Sequence, residues 1–175
     1  MLVDLNTYQC SPCHSDDDEE IKIMFETNDL FGSIVCKGDN LDCILDGEGT
    51  RQILEVDGTG ASMLIVKGIR FYRGDMTKTR DSRSGGGLGL SKKAIVELQF
   101  CAFEACNGFT GGAIYILAGC EMVIYGTFFT ANTVTSTQGG DDIHNGGRLA
   151  ISDSCPENWT GFPQKGKTTA YLPPP

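Results

Sequence analysis

Three times in this chain an apolar, strand-like run ends in a phenylalanine, and each time a glycine cluster follows. The runs are MLIVKGIRF at 63–71, IVELQFCAF at 95–103 and MVIYGTFF at 122–129. Phe71 is followed by Gly85-Gly86-Gly87, Phe103 by Gly111-Gly112 and Phe129 by Gly139-Gly140. The third residue past each phenylalanine is Gly74, Cys106 or Asn132. Each glycine cluster then opens another short run: Leu88-Gly89-Leu90, Ala113-Ile114-Tyr115-Ile116, and Asp141-Asp142-Ile143-His144. Residues 101–116, CAFEACNGFTGGAIYI, are the cleanest copy. A self-similar period of this size predicts stacked supersecondary units. A strand this short cannot hold itself together. Set ~4.8 Å from an equivalent strand, it completes its backbone hydrogen bonds through that neighbour. Like residues then stack on like, so Phe71, Phe103 and Phe129 are expected to form one interior ladder. Glycine at a corner allows positive φ and close approach. Asparagine there adds side-chain hydrogen bonds. The loop before the glycines varies and is longest at 75–84, as expected where the chain leaves the core.

The remainder of the chain fits around this unit. Residues 1–20 are polar and contain the acidic run Asp16 to Glu20, which reads as a solvated leader. Ile21, Ile23 and Phe25 alternate with Lys22 and Met24, a strand period, although a helix from Asp18 to Glu26 also fits. Three bursts follow: Ser33 to Cys36, Cys43 to Leu45 closed by Asp46-Gly47, and Gln52 to Val56 closed by Asp57-Gly58. Asp-Gly is a strong turn signal. After Leu149-Ala150-Ile151, Trp159 is expected to cover the last open unit, and the chain ends in Pro173-Pro174-Pro175. The expected organisation is therefore a leader at 1–20, a stacked β region at 21–155, and a cap with a Pro-rich tail at 156–175. An antiparallel sandwich with glycine-rich turns is the competing reading.

Composition narrows the classes of function. Apolar residues make up 40% of the chain, enough for a dry core, and no run is long enough to span a bilayer as a helix. The formal net charge of −9 disfavours nucleic acid and anionic membrane surfaces as partners. Eight cysteines suggest an oxidising compartment. Cys36 with Cys43 and Cys101 with Cys106 are locally spaced disulfide candidates, and buried reduced cysteines are the alternative. Residues 1–9 lack the basic and apolar regions of a signal peptide, so any leader lies outside this chain or another route is used.

Phe129-Thr130-Ala131-Asn132 resembles the FxxN element, and Gly111-Gly112-Ala113-Ile114 the GGAI element, of right-handed parallel β-helix proteins. Such elements are typical of polymorphic outer-membrane-protein-like repeats in surface and secreted proteins. Ile44-Leu45-Asp46-Gly47 is similar to the strand-and-turn start of pectate-lyase-like helices. The resemblance covers roughly residues 33–155. It implies an all-β, right-handed, single-stranded parallel β-helix, a solenoid of about four or five coils, with an extracellular or cell-surface location. Only one FxxN and one GGAI are complete: Gly74 and Cys106 stand where asparagine is expected.

Candidate sites are few. Asp141, Asp142 and His144, with Asn145, form the densest polar cluster, and Arg148 is a candidate partner for either aspartate. Carboxylates and histidine on one sheet face can activate water or abstract a proton in a polysaccharide-cleaving enzyme. Adjacent aspartates on a strand point to opposite faces unless a bulge intervenes, however, and a corner whose Asp and Asn groups cap backbone amides is the favoured reading of the cluster. Cys10, Cys13 and His14 have haem-attachment or metal-ligand spacing, but sit in a polar leader, so disulfides or free thiols are the simpler reading and no cofactor is expected. Lys78, Arg80 and Arg83, with Lys92-Lys93 nearby, make a basic loop suited to an anionic glycan or simply to solvent. Asn158-Trp159-Thr160 is a glycosylation sequon. The contiguous acids at 16–20 make a poor calcium cage. The expected function is a non-enzymatic extracellular or cell-surface module with a structural, adhesive or glycan-binding role. Its partners would be carbohydrate or another surface protein. A lyase or hydrolase of acidic polysaccharide and a degenerate fragment of a longer β-helix protein are the alternatives.

Overall fold

The computed structural model describes residues 21–24, 31–37, 41, 43–58, 63–77, 85–136 and 140–151. They are all-β. The strands are β1 (Ile21–Met24), β2 (Phe31–Val35), β3 (Cys43–Asp46), β4 (Leu54–Asp57), β5 (Met63–Lys67), β6 (Ile69–Tyr72), β7 (Leu88–Ser91), β8 (Ile95–Gln99), β9 (Ala102–Glu104), β10 (Asn107–Gly108), β11 (Ile114–Ile116), β12 (Glu121–Tyr125), β13 (Phe128–Thr130), β14 (Thr133–Val134), β15 (Ile143–Asn145) and β16 (Arg148–Ile151).

These strands form three main sheets and one small one. The first sheet has the order β1-β4-β7-β11-β15, the second β2-β5-β8-β12-β16, and the third β3-β6-β9-β13, with β10-β14 as the small pair. Every strand pairing is parallel. That excludes an antiparallel sandwich, because consecutive strands of the chain pass to different sheets rather than folding back as hairpins. From β2 onward the chain visits the second, third and first sheets in turn, and each return places a strand beside its predecessor. Residues 21–24 are strand, which settles the strand-or-helix alternative there.

Register explains the core. On the second sheet, Leu64, Val96, Met122 and Leu149 share one interior column, and Val66, Leu98 and Ile124 another. On the first sheet Leu54, Leu88, Ile114 and Ile143 align. On the third, Phe71 stacks on Phe103 with ring centroids 4.5 Å apart and planes within 1°, and Phe103 stacks on Phe129 at 5.4 Å and 7°. The expected phenylalanine ladder is therefore present. Parallel, in-register strands impose this repetition, since a slip of one residue would turn every apolar side chain outward. The glycine corners follow from close packing of successive segments. A Cβ on Gly112 would lie 1.9 Å from the Asp141 carbonyl oxygen, so no larger residue fits.

Phe103 lies between two rings and is fully buried. Phe103→Ala is therefore expected to cost about 3–5 kcal/mol in urea denaturation followed by circular dichroism. Exposed Phe128→Ala, one strand along, should cost less than about 1 kcal/mol.

Candidate functional site

The polar cluster near residue 142 is held by backbone geometry. Ala113 and Ile114 N–H groups both donate to the Asp142 carbonyl, at 3.0 and 2.8 Å. The buried Asn132 side chain sits against the same turn. Its Nδ2 donates to the Asp142 carboxylate at 2.9 Å and to the Phe103 carbonyl at 3.1 Å, and its Oδ1 accepts from the Cys106 N–H at 3.0 Å. Asn132 thus ties its own segment to residues 103–106 and to Asp142. Burial raises the Asp142 carboxyl above its ordinary value, the Asn132 hydrogen bond opposes the rise, and the Asp141 charge adds to it. Asp141 is exposed and lies beside Asp142 rather than converging with it. His144 lies on β15 with its ring stacked on Tyr115, centroids 5.0 Å apart. Asn145 accepts from the Gly147 N–H, a turn-capping role. Arg148 does not pair with either aspartate as expected; it reaches Glu121 at 2.9 Å because the two are register partners on β16 and β12. Among the described residues, no group of three His, Cys, Asp or Glu side chains converges as a metal site.

The cysteines divide. Cys36 and Cys43 are joined, with Cα atoms 5.7 Å apart. Cys101 and Cys106 are not joined to each other, nor is either joined to Cys120; all three are free and buried. The reason is position. Cys101 precedes β9 and its thiol reaches the Val66 carbonyl at 3.4 Å, whereas the Cys106 thiol, past the end of β9, reaches the Phe71 carbonyl at 3.7 Å. Cys106 therefore does in its round what Asn132 does in the next, donating to the phenylalanine carbonyl behind it. Burial pushes both thiols up to about 11.

Of the expected basic loop, Lys92 is tied to the buried Asp57 at 2.7 Å, and Ser91 donates to the same carboxylate. Residues 78–84, with Lys78, Arg80 and Arg83, lie outside the described residues, as do Cys10, Cys13, His14, the acids at 16–20, Asn158 and Trp159.

A second feature was not anticipated. Where the second sheet turns into the third, successive rounds place Gly68, Phe100 and Gly126 at one corner, with φ of 69°, 51° and 56°. Glycine adopts that conformation freely; a phenylalanine there is strained by roughly 1–2 kcal/mol. The Phe100 ring lies over Gly126, where a Cβ would come within 2.7 Å of it, and meets the Tyr125 ring edge-on at 4.9 Å. Phe100 remains 48% exposed, Tyr125 37% and Phe128, outward on the third sheet, 50%. The signal was in the sequence itself, since Phe100 stands between Gly68 and Gly126 at this corner.

Comparison of the chain with protein-family models, with curated proteins and with solved structures finds no match.

Two outcomes are expected. With its folded-state pKa raised, Asp142 leaves the protein most stable below the ordinary Asp value of 3.8 and less so as pH rises through the raised value. Asp142→Asn should therefore be more stable than the wild type at neutral pH, with the difference vanishing below pH 3.8 in thermal melts. Cys101 and Cys106 should resist a thiol reagent at pH 8 in the native protein and react only on unfolding, as read by mass spectrometry of labelled peptides.

Proposed function

We propose that the protein is a right-handed, single-stranded parallel β-helix that acts outside the cell or at its surface. In this reading it is a non-enzymatic adhesive module that binds carbohydrate through the aromatic corner of Phe100, Tyr125 and Phe128. The fold reading is supported by the fixed order in which strands enter three parallel sheets and by the in-register interior ladders. The location is supported by the Cys36–Cys43 disulfide, a bond that persists in oxidising compartments.

The strained, exposed Phe100 carries the binding reading. Aromatic faces stack against the C–H face of a sugar ring, and a rigid ring does so at low entropic cost.

The enzyme alternative, cleavage of an acidic polysaccharide, draws its support from Asp142, a half-buried carboxyl raised above its ordinary value as a general acid requires. Against it, that carboxylate is engaged by Asn132 in a corner hydrogen-bond network.

The experiment is titration calorimetry against a panel of neutral and uronate polysaccharides. Phe100→Gly should keep or gain stability, because glycine suits φ 51°, while affinity falls by about tenfold or more. Absence of binding by the wild type to the whole panel would sink the adhesive reading. Cleavage that Asp142→Ala abolishes would replace it with the enzymatic one.

A further inference from the structure

We propose that the outer face of the sheet formed by β2, β5, β8, β12 and β16 is an interface for a second copy of this chain. Strand periodicity sorts the side chains of this sheet into interior and outward columns. A sheet face in water is ordinarily lined by polar residues. Here the outward positions include Phe31, Met63 and Ile95 in one column, Ile65 and Val123 in the next, and Val35 in the third. Phe31 and Val35 are more than half exposed, and Val123 is 42% exposed. Contiguous outward apolar residues on a soluble surface mark a site of association.

Charge decides the occupant. The chain carries a formal net charge of −9, so two copies repel across most of their surfaces. The charged residues at outward positions of this face are Lys67, Glu97, Glu121 and Arg148, two of each sign. Glu121 and Arg148 neutralise each other at 2.9 Å. Among the described residues, Lys67 is exposed and enters no ion pair, and Glu97 accepts only the Gln99 amide. The face is therefore neutral on an acidic protein and carries one unpaired charge of each sign.

Lys67 and Glu97 are diagonal neighbours on adjacent strands, since Ile65 is the register partner of Glu97 and Lys67 that of Gln99. In a two-fold interface, residue i of one copy meets residue j of the other, and j meets i. A two-fold axis running in the face between these residues sets Lys67 of each copy against Glu97 of its mate. The apolar block then covers itself. An acidic partner would leave Glu97 opposed, and a basic one would leave Lys67 opposed; a second copy answers both.

The test is sedimentation equilibrium of the full chain at physiological salt. The wild type is expected to be a dimer, and Ile65→Asp a monomer with an unchanged circular dichroism spectrum. Lys67→Glu and Glu97→Lys should each raise the dimer dissociation constant about tenfold, and the double reversal should restore it. Because the charges exchanged lie on the outer face of the sheet and not in the core, folding is not at risk in that series. A wild type that stays monomeric at every concentration overturns the proposal and leaves the face to another partner. A dimer whose dissociation is indifferent to the single reversals, or not restored by the double one, overturns it equally. Phe128→Ala, on the third sheet, should leave dimerisation unchanged.

Discussion

Parallel pairing in register is the constraint on which everything else in this protein depends. Each short strand is held by the one before and the one after, and by little of its own. Once Phe103 lies between Phe71 and Phe129, the positions on either side of it in the chain are committed to their own columns. The same translation repeats the corners: Arg73, Ala105 and Ala131 all take φ near 53° because each ends an equivalent strand. Repetition therefore extends to backbone strain, and non-glycine residues accept a left-handed turn because the ladder above and below over-determines it.

Departures from the repeat are where the chemistry lies. Cys106 replaces the asparagine of the next round and still donates to the carbonyl behind it, so a thiol serves as a weak hydrogen-bond donor in a buried corner. Asn132 does more: it donates to the Phe103 carbonyl and to the Asp142 carboxylate, and accepts from the Cys106 N–H. Phe100 replaces a corner glycine and projects a ring outward at the expense of strain. The first two departures preserve the interior. The third leaves the interior columns unchanged, since its ring lies over Gly126 and against Tyr125.

The sequence reading reached the strands, the phenylalanine ladder and the glycine corners, because each is a local pattern repeated at a fixed spacing. It also named Cys36 and Cys43, whose separation of seven residues brings them together at one turn. It misjudged Cys101 with Cys106. Spacing alone could not tell that one thiol is directed to Val66 and the other to Phe71, both some 35 residues distant. Arg148 is a candidate partner for the nearby aspartates by proximity in the chain, whereas register across the sheet sets it against Glu121.

What the amino-acid order determined by itself is the unit: an alternating apolar strand, an aromatic that ends it, and a glycine turn that admits close approach. These follow from side-chain volume, polarity and allowed φ, all of which are local. Only the tertiary structure decided which columns face inward together, which thiols are joined, and which outward residues gather on one face. Those outcomes depend on the alignment of strands roughly 26 to 34 residues apart, a property of the stacked sheets that no single segment carries.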